Sequence, residues 1–154
     1  MKKRIIFSVF FFIISSISSH GQWLNKTQDP TTGLYTGRYS KLVPPFFVEV
    51  YDFRPNTILI EKNLRGINLS NFNLEGATLR KSQLPQSFAG VNLSNANLSN
   101  AFVGSGTNFS GANLNNANFS ETNFANVSNF NDADIRNMNF SGANLTNLNF
   151  EGLD

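Results

Sequence analysis

From Lys62 onward the apolar residues recur at every fifth position. In SGANLNNANFSETNF, Ser110 to Phe124, the large apolar residues Leu114, Phe119 and Phe124 follow Phe109 at steps of five, with Asn, Ser and Ala between them. A step of five turns an α-helix by about 500°, so these residues would scatter around the cylinder rather than form a stripe. On a continuous strand an odd step sends successive residues to opposite faces, so neighbouring centres could not share one core. The period therefore predicts a chain that turns a corner within every five residues and returns each central residue to a common axis, which is a solenoid.

The centres run Leu64, Leu69, Leu74, Leu79, Leu84, Phe88, Leu93, Leu98, Val103, Phe109, Leu114, Phe119, Phe124, Phe130, Ile135, Phe140, Leu145 and Phe150. Small residues stand two positions before many of them, as at Ala77, Ala96, Ala101, Ala112, Ala117, Ala133 and Ala143, with Asn in between. The spacing slips three times: Leu84 to Phe88 is one residue short, while Val103 to Phe109 and Phe124 to Phe130 are one residue long. The slips recur every four units, which places them all on one corner of a four-unit coil. Sorting the centres by fours puts like on like, as in the column Leu69, Phe88, Phe109, Phe130, Phe150. Such ladders suit coils stacked in register about 4.8 Å apart.

Units such as AGVNLSNANLSN and SGANLNNANF closely resemble the pentapeptide-repeat family. That resemblance covers residues 62–154 and implies an all-β fold, a right-handed quadrilateral parallel β-helix. Before it, residues 22–61 lack the period. There PPFFVEVYDF and ILIE, flanking Pro55 and Asn56, read as two strands of a short β-hairpin-like cap over the first coil.

The first residues, MKKRIIFSVFFFIISSISSHGQ, join three basic residues to an apolar run and then a small, Ser-rich stretch. This is the order of a secretory signal peptide with cleavage expected after Gly21, leaving a secreted or periplasmic protein with no stable membrane span. Loss of residues 1–21 leaves nine basic against ten acidic residues, a formal charge of −1 in place of +2. No footprint for nucleic acid remains. The chain has no Cys, and its one His is His20, inside the leader. A mature chain without either lacks the usual general base, nucleophile pairings and most metal ligands, so neither catalysis nor a cofactor is expected. The carboxylate pairs Asp132 with Asp134 and Glu49 with Asp52 are the remaining catalytic option, and they read as solvated surface.

Three surfaces are candidates for a protein or glycan partner. Asn97, Ser99, Asn118, Ser120, Asn139 and Ser141 recur in register as an uncharged hydrogen-bonding face. The irregular corner carries Pro85, Gln86, Gly104, Ser105, Gly106, Asn126 and Val127, and loops carry function more often than regular elements. The last coil, with Met138, Leu148, Phe150 and Leu153, is a possible homodimer end. The expected function is an exported structural or interaction module. Two alternatives stand beside it: a glycan-binding or glycan-active surface protein, and the topoisomerase-protecting DNA mimicry that the family resemblance brings in. Mimicry needs a row of carboxylates standing in for phosphates. Here Glu75, Glu121, Asp132, Asp134, Glu151 and Asp154 are interspersed with Lys62, Arg65, Arg80, Lys81 and Arg136.

Overall fold

The computed structural model describes residues 22–43, 47–124, 129–146, 148, 150 and 153. The expected leader, residues 1–21, and His20 within it lie outside the described residues. The chain divides into two compact units, one that ends at Lys26 and resumes over Gly37–Asp52, and one comprising Thr27–Thr36 and Phe53–Asp154.

Three strands, β1 (Gln22–Gln28), β2 (Tyr35–Val43) and β3 (Phe47–Phe53), form a sheet in the order β1-β2-β3. The connection between β1 and β2 is a turn built by Asp29. Its Oδ1 accepts the backbone N–H groups of Thr31 and Thr32 at 2.7 and 3.1 Å, and these bonds hold the carboxyl below the usual range.

The array in the second unit is a four-sided parallel coil. Its first face stacks Ile58, Thr78, Asn97, Asn118 and Asn139, and its second Asn63, Gln83, Phe102, Asn123 and Asn144. The third stacks Asn68, Ser87, Asn108 and Asn129, and the fourth Asn73, Asn92, Asn113 and Asp134. Every bridge is parallel, and each face is only a few residues wide before the chain turns. The amide on each side of a rung goes to a different neighbour. Asn113 N donates to Val91 O of the preceding coil at 2.8 Å, and Leu114 N donates to Asp134 O of the following coil at 2.8 Å.

The period of five follows from the corners. The centre carbonyl accepts the N–H of the residue three positions on, as in Ala96 N to Leu93 O at 3.0 Å and Ala117 N to Leu114 O at 2.9 Å. The residue just before that donor sits in the left-handed region, where Asn is tolerated and Gly is free: Asn95, Asn100 and Asn116 have φ of 60°, 58° and 59°. Gly90, at φ 62°, stands where a Cβ would run into the Asn71 side chain of the coil below. A side chain there would have to displace that carboxamide as well as adopt the left-handed backbone conformation.

Asn supplies the second half of most turns. The Oδ1 of Asn92, Asn97, Asn108, Asn113 and Asn118 accepts the N–H two residues on, at 2.9–3.2 Å. Asn is therefore not interchangeable with other polar residues at these rungs: its short carboxamide reaches its own turn.

Each centre points inward. Leu69, Leu74, Leu79, Phe88, Leu93, Leu98, Phe109, Leu114, Phe119 and Phe124 are all fully buried. The column sorted from the sequence is a stack of rings: Phe88 to Phe109 at 5.2 Å and 10°, then Phe109 to Phe130 at 5.0 Å and 5°. The small residues two positions before the centres fill the corners, with Ala77, Ala96, Ala112 and Ala117 buried. At others of these places, Ser82, Thr107 and Thr122 among them, a hydroxyl replaces the methyl and is satisfied internally. Ser82 Oγ donates to Leu59 O at 2.6 Å and accepts the Lys62 N–H at 2.9 Å, and Thr122 Oγ1 donates to Leu98 O at 3.1 Å. No buried side-chain nitrogen or oxygen among the described residues lacks a partner.

The pairing of residues 47–60 differs from the hairpin expected. Segment 47–53 is a strand, but its neighbour in the sheet is β2. The turn at Arg54–Asn56 is already a solenoid corner, with Asn56 at φ 59° and Thr57 N donating to Arg54 O at 3.2 Å. It directs Ile58 into parallel pairing with Thr78, and Leu59 N donates to Thr78 O at 2.8 Å. Leu59 is buried while Ile58 and Ile60 are 71% and 40% exposed. Alternation of Ile58 and Ile60 mimicked one face of a strand, whereas the five-residue period, extended back from Leu64, selects Leu59. On the fourth face, the layer before Phe72 is Tyr35, held by Tyr35 N to Asn71 O at 2.6 Å and Asn73 N to Tyr35 O at 2.8 Å.

Candidate functional site

The three spacing slips fall at the corner between the second and third faces, and this corner is where the regular surface breaks. Successive coils cross it with loops of different length: Asn63 to Asn68, then the shorter Gln83 to Ser87, then the longer Phe102 to Asn108. The middle coil turns without a left-handed residue, through the buried Pro85 and the exposed Gln86, while its neighbours use Gly66 and Gly106 at φ 80° and 71°. Corner-to-corner hydrogen bonds such as Asn71 N to Ala89 O and Asn95 N to Asn115 O link adjacent coils elsewhere. Gly66 N makes no such bond to the next coil among the described residues.

A short loop between two longer ones leaves a notch. Its volume is about 370 Å³, and Arg65, Gly66, Leu84, Gln86, Gly104 and Ser105 line it. Three of these, Gln86, Gly104 and Ser105, belong to the corner singled out from spacing. Gly106 lies beside them on the same loop, and Asn126 and Val127 lie outside the described residues. The loop of the long coil is braced by Thr107, whose Oγ1 donates to Gly104 O at 2.8 Å, and Asn108 N donates to Gln86 O at 2.9 Å. The notch is thus bounded in part by hydrogen-bonded backbone.

Sequence reasoning did not single out Phe102, which the structure places at the edge of this region. It is 58% exposed on the second face, two residues before Gly104, and its carbonyl accepts the Leu84 N–H at 3.0 Å. The signal was available: in the outward column Asn63, Gln83, Phe102, Asn123, Asn144 every other rung is a carboxamide.

The Asn/Ser surface is arranged differently from a flat grid of six side chains. Asn97, Asn118 and Asn139 stack on the first face, but Ser99, Ser120 and Ser141 sit in the corner turns that follow, and Ser99 is only 7% exposed. Each asparagine Oδ1 is occupied by the N–H of the serine two residues on, at 3.0, 2.9 and 2.9 Å. One acceptor position of each of these carboxamide oxygens is thus taken up by its own turn.

The carboxylates are spread over several corners and rungs. Asp134 lies on the fourth face, gripped by Arg136 through Nε at 2.8 Å and Nη2 at 2.6 Å. Hydrogen bonding from that guanidinium, first among the causes, holds its carboxyl down to about 2. Asp132 sits in the preceding turn at φ 58°. A general acid needs a carboxyl raised toward neutrality, the opposite of what Asp134 has. Glu61 pairs with Lys81 at 3.4 Å on an exposed corner. Among the described residues no group of three or more His, Cys, Asp or Glu could hold a metal ion.

Replacing Arg136 with Gln should let Asp134 titrate near its ordinary 3.8, read by carboxyl NMR. Because the folded-state value is depressed, the pair's contribution to stability is present above about pH 4 and is lost as pH falls through about 2. The pair is exposed, so its loss should lower stability by no more than about 1 kcal/mol.

At the end formed by the last coil, Met138 and Leu148 are half-buried and Phe150 is 36% exposed, its ring 6.2 Å from Phe130 and 6.1 Å from Phe140. Leu153 is half-buried, and its N–H approaches Phe150 O at 3.4 Å.

A four-sided coil of five-residue units, with turn-forming Asn rungs and a stacked apolar axis, defines a class of repeat protein. A family profile for pentapeptide repeats in nine copies matches residues 109–153, and one for pentapeptide repeats in eight copies matches residues 58–87. Residues 58–87 and 109–153 are thus pentapeptide repeats, of the family whose profiles they match. Among solved structures it is similar to a pentapeptide repeat protein from the Arabidopsis thaliana thylakoid lumen, at 25% identity and TM-score 0.43, over 63% of this chain and 65% of that one. It is also similar to HetL, a pentapeptide repeat protein involved in heterocyst differentiation regulation from the cyanobacterium Nostoc sp. strain PCC 7120, at 22% identity and TM-score 0.36, over 61% of this chain and 47% of that one. The chain thus spans less than two thirds of either structure's length. A search of curated protein sequences returned no match.

Proposed function

We propose that the chain is exported, loses residues 1–21 and works as a non-catalytic binding module through its outer surface. The observation that carries this reading is the filled axis of the coil. From Leu64 to Phe130 the centres pack against one another with almost no exposure, so the interior has no room for a ligand. What remains for recognition is the outside, where the ladders repeat without feature until the irregular corner interrupts them. The leader composition, three basic residues before an apolar run and a Ser-rich end, supports export.

Cell fractionation followed by intact-mass analysis of the native product tests the reading. The expected product lies outside the cytoplasm and begins near Gln22. A full-length chain retained in the cytoplasm overturns export.

A further inference from the structure

We propose that the notch between the second and third faces, together with the Phe102 ring beside it, is a binding site for a neutral polysaccharide chain. The proposal deepens the binding-module reading and rests on it.

A sugar ring has an apolar C–H face and a polar rim, so its recognition needs a flat apolar platform next to uncharged donors and acceptors. The platform is Phe102, the one aromatic rung in a column of carboxamides, with Gln83 and Asn123 on the coils either side. A single exposed ring by itself signifies little. Its position gives it weight, because its own carbonyl is hydrogen-bonded to Leu84, which lines the notch, and the chain enters the notch two residues later at Gly104.

The notch supplies the second half. At about 370 Å³ it is at the small end of ligand pockets, with room for about one or two sugar rings. Gln86 brings a carboxamide, Ser105 a hydroxyl, and Gly66 and Gly104 allow a ligand to approach the backbone closely. The set is short of acidic groups and carries one cation, Arg65. It therefore favours a ligand that both donates and accepts hydrogen bonds over a polyanion, which a cluster of cations would recognise. A chain with one ring on Phe102 and the next in the notch uses both features at once.

The test uses the mature protein, uniformly labelled with ¹⁵N, and hexaoses of β-1,4-linked glucose, β-1,3-linked glucose and β-1,4-linked N-acetylglucosamine. Addition of at least one hexaose should shift the amide peaks of Gly104 and Ser105 and the side-chain amide of Gln86, while the peaks of Asn97 and Asn118 stay in place. Phe102→Gln, which restores the carboxamide of its column and keeps the fold, should weaken that binding about tenfold or more. Gln86→Ala should weaken it as well. The proposal is overturned if none of the three hexaoses moves those peaks at millimolar concentration, or if Phe102→Gln binds as tightly as the native chain. Either failure leaves the export reading standing, because that depends on the location and mass of the native product.

Discussion

Phe109→Ala should lower the stability of the array by about 3–5 kcal/mol, a large part of the ~5–15 kcal/mol that holds a typical domain folded. Phe109 is fully buried and sandwiched between Phe88 at 5.2 Å and Phe130 at 5.0 Å, and its edge meets Phe119 at 5.9 Å. Truncation removes the ring's transfer energy and opens a hole that cannot collapse. Each coil is held at fixed height by hydrogen bonds above and below, such as Phe109 N to Asn129 O at 2.7 Å. The variant with Leu at this position, which matches Leu69 at the start of the same column, should recover most of the loss. Urea unfolding followed by circular dichroism measures both, and a loss below about 1 kcal/mol for Phe109→Ala would contradict the stacked-axis account.

An inserted residue should be harmful at a regular corner and tolerated at the irregular one. One Gly inserted between Asn95 and Ala96 displaces the bonds from Ala96 N to Leu93 O, Asn97 N to Ala77 O, Leu98 N to Asn118 O and Asn100 N to Ser120 O. At about 0.5–1.5 kcal/mol each, the cost is roughly 2–6 kcal/mol before any core disturbance. A Gly inserted between Pro85 and Gln86 gives the short loop the length of the Asn63–Asn68 loop, still one residue shorter than Phe102–Asn108. Its expected cost is below about 1 kcal/mol, since loop closure depends weakly on length. Thermal unfolding of the two insertion variants side by side is the check. Equal loss in both would mean that the corner between the second and third faces is as constrained as the others.

The contrast between these corners also divides what was legible in the sequence from what was not. The period of five, the inward centres and the fourfold sorting were readable because most units repeat the same local physics: a left-handed turn residue, an Asn that closes its own turn, and an apolar centre. Repetition turned weak local preferences into a strong signal. Even the corner holding the notch was readable, since a slip in spacing is a change in loop length.

Pairing across distance was a different matter. The Ile58 and Ile60 alternation suits a hairpin as well as a solenoid rung, and only the partner strand, Thr78 twenty residues on, decided between them. The asparagine face looked like a free hydrogen-bonding grid because composition does not record that Oδ1 of Asn97, Asn118 and Asn139 is already committed to the turn. Phe102 looked like one more apolar residue in an apolar-rich chain until its column was assembled. The sequence by itself determined the repeat, its class and the place where it breaks, because those depend on residues near one another along the chain. The tertiary structure decided which surface is free and what lies beside the break, because those depend on coils about twenty residues apart brought into contact by stacking.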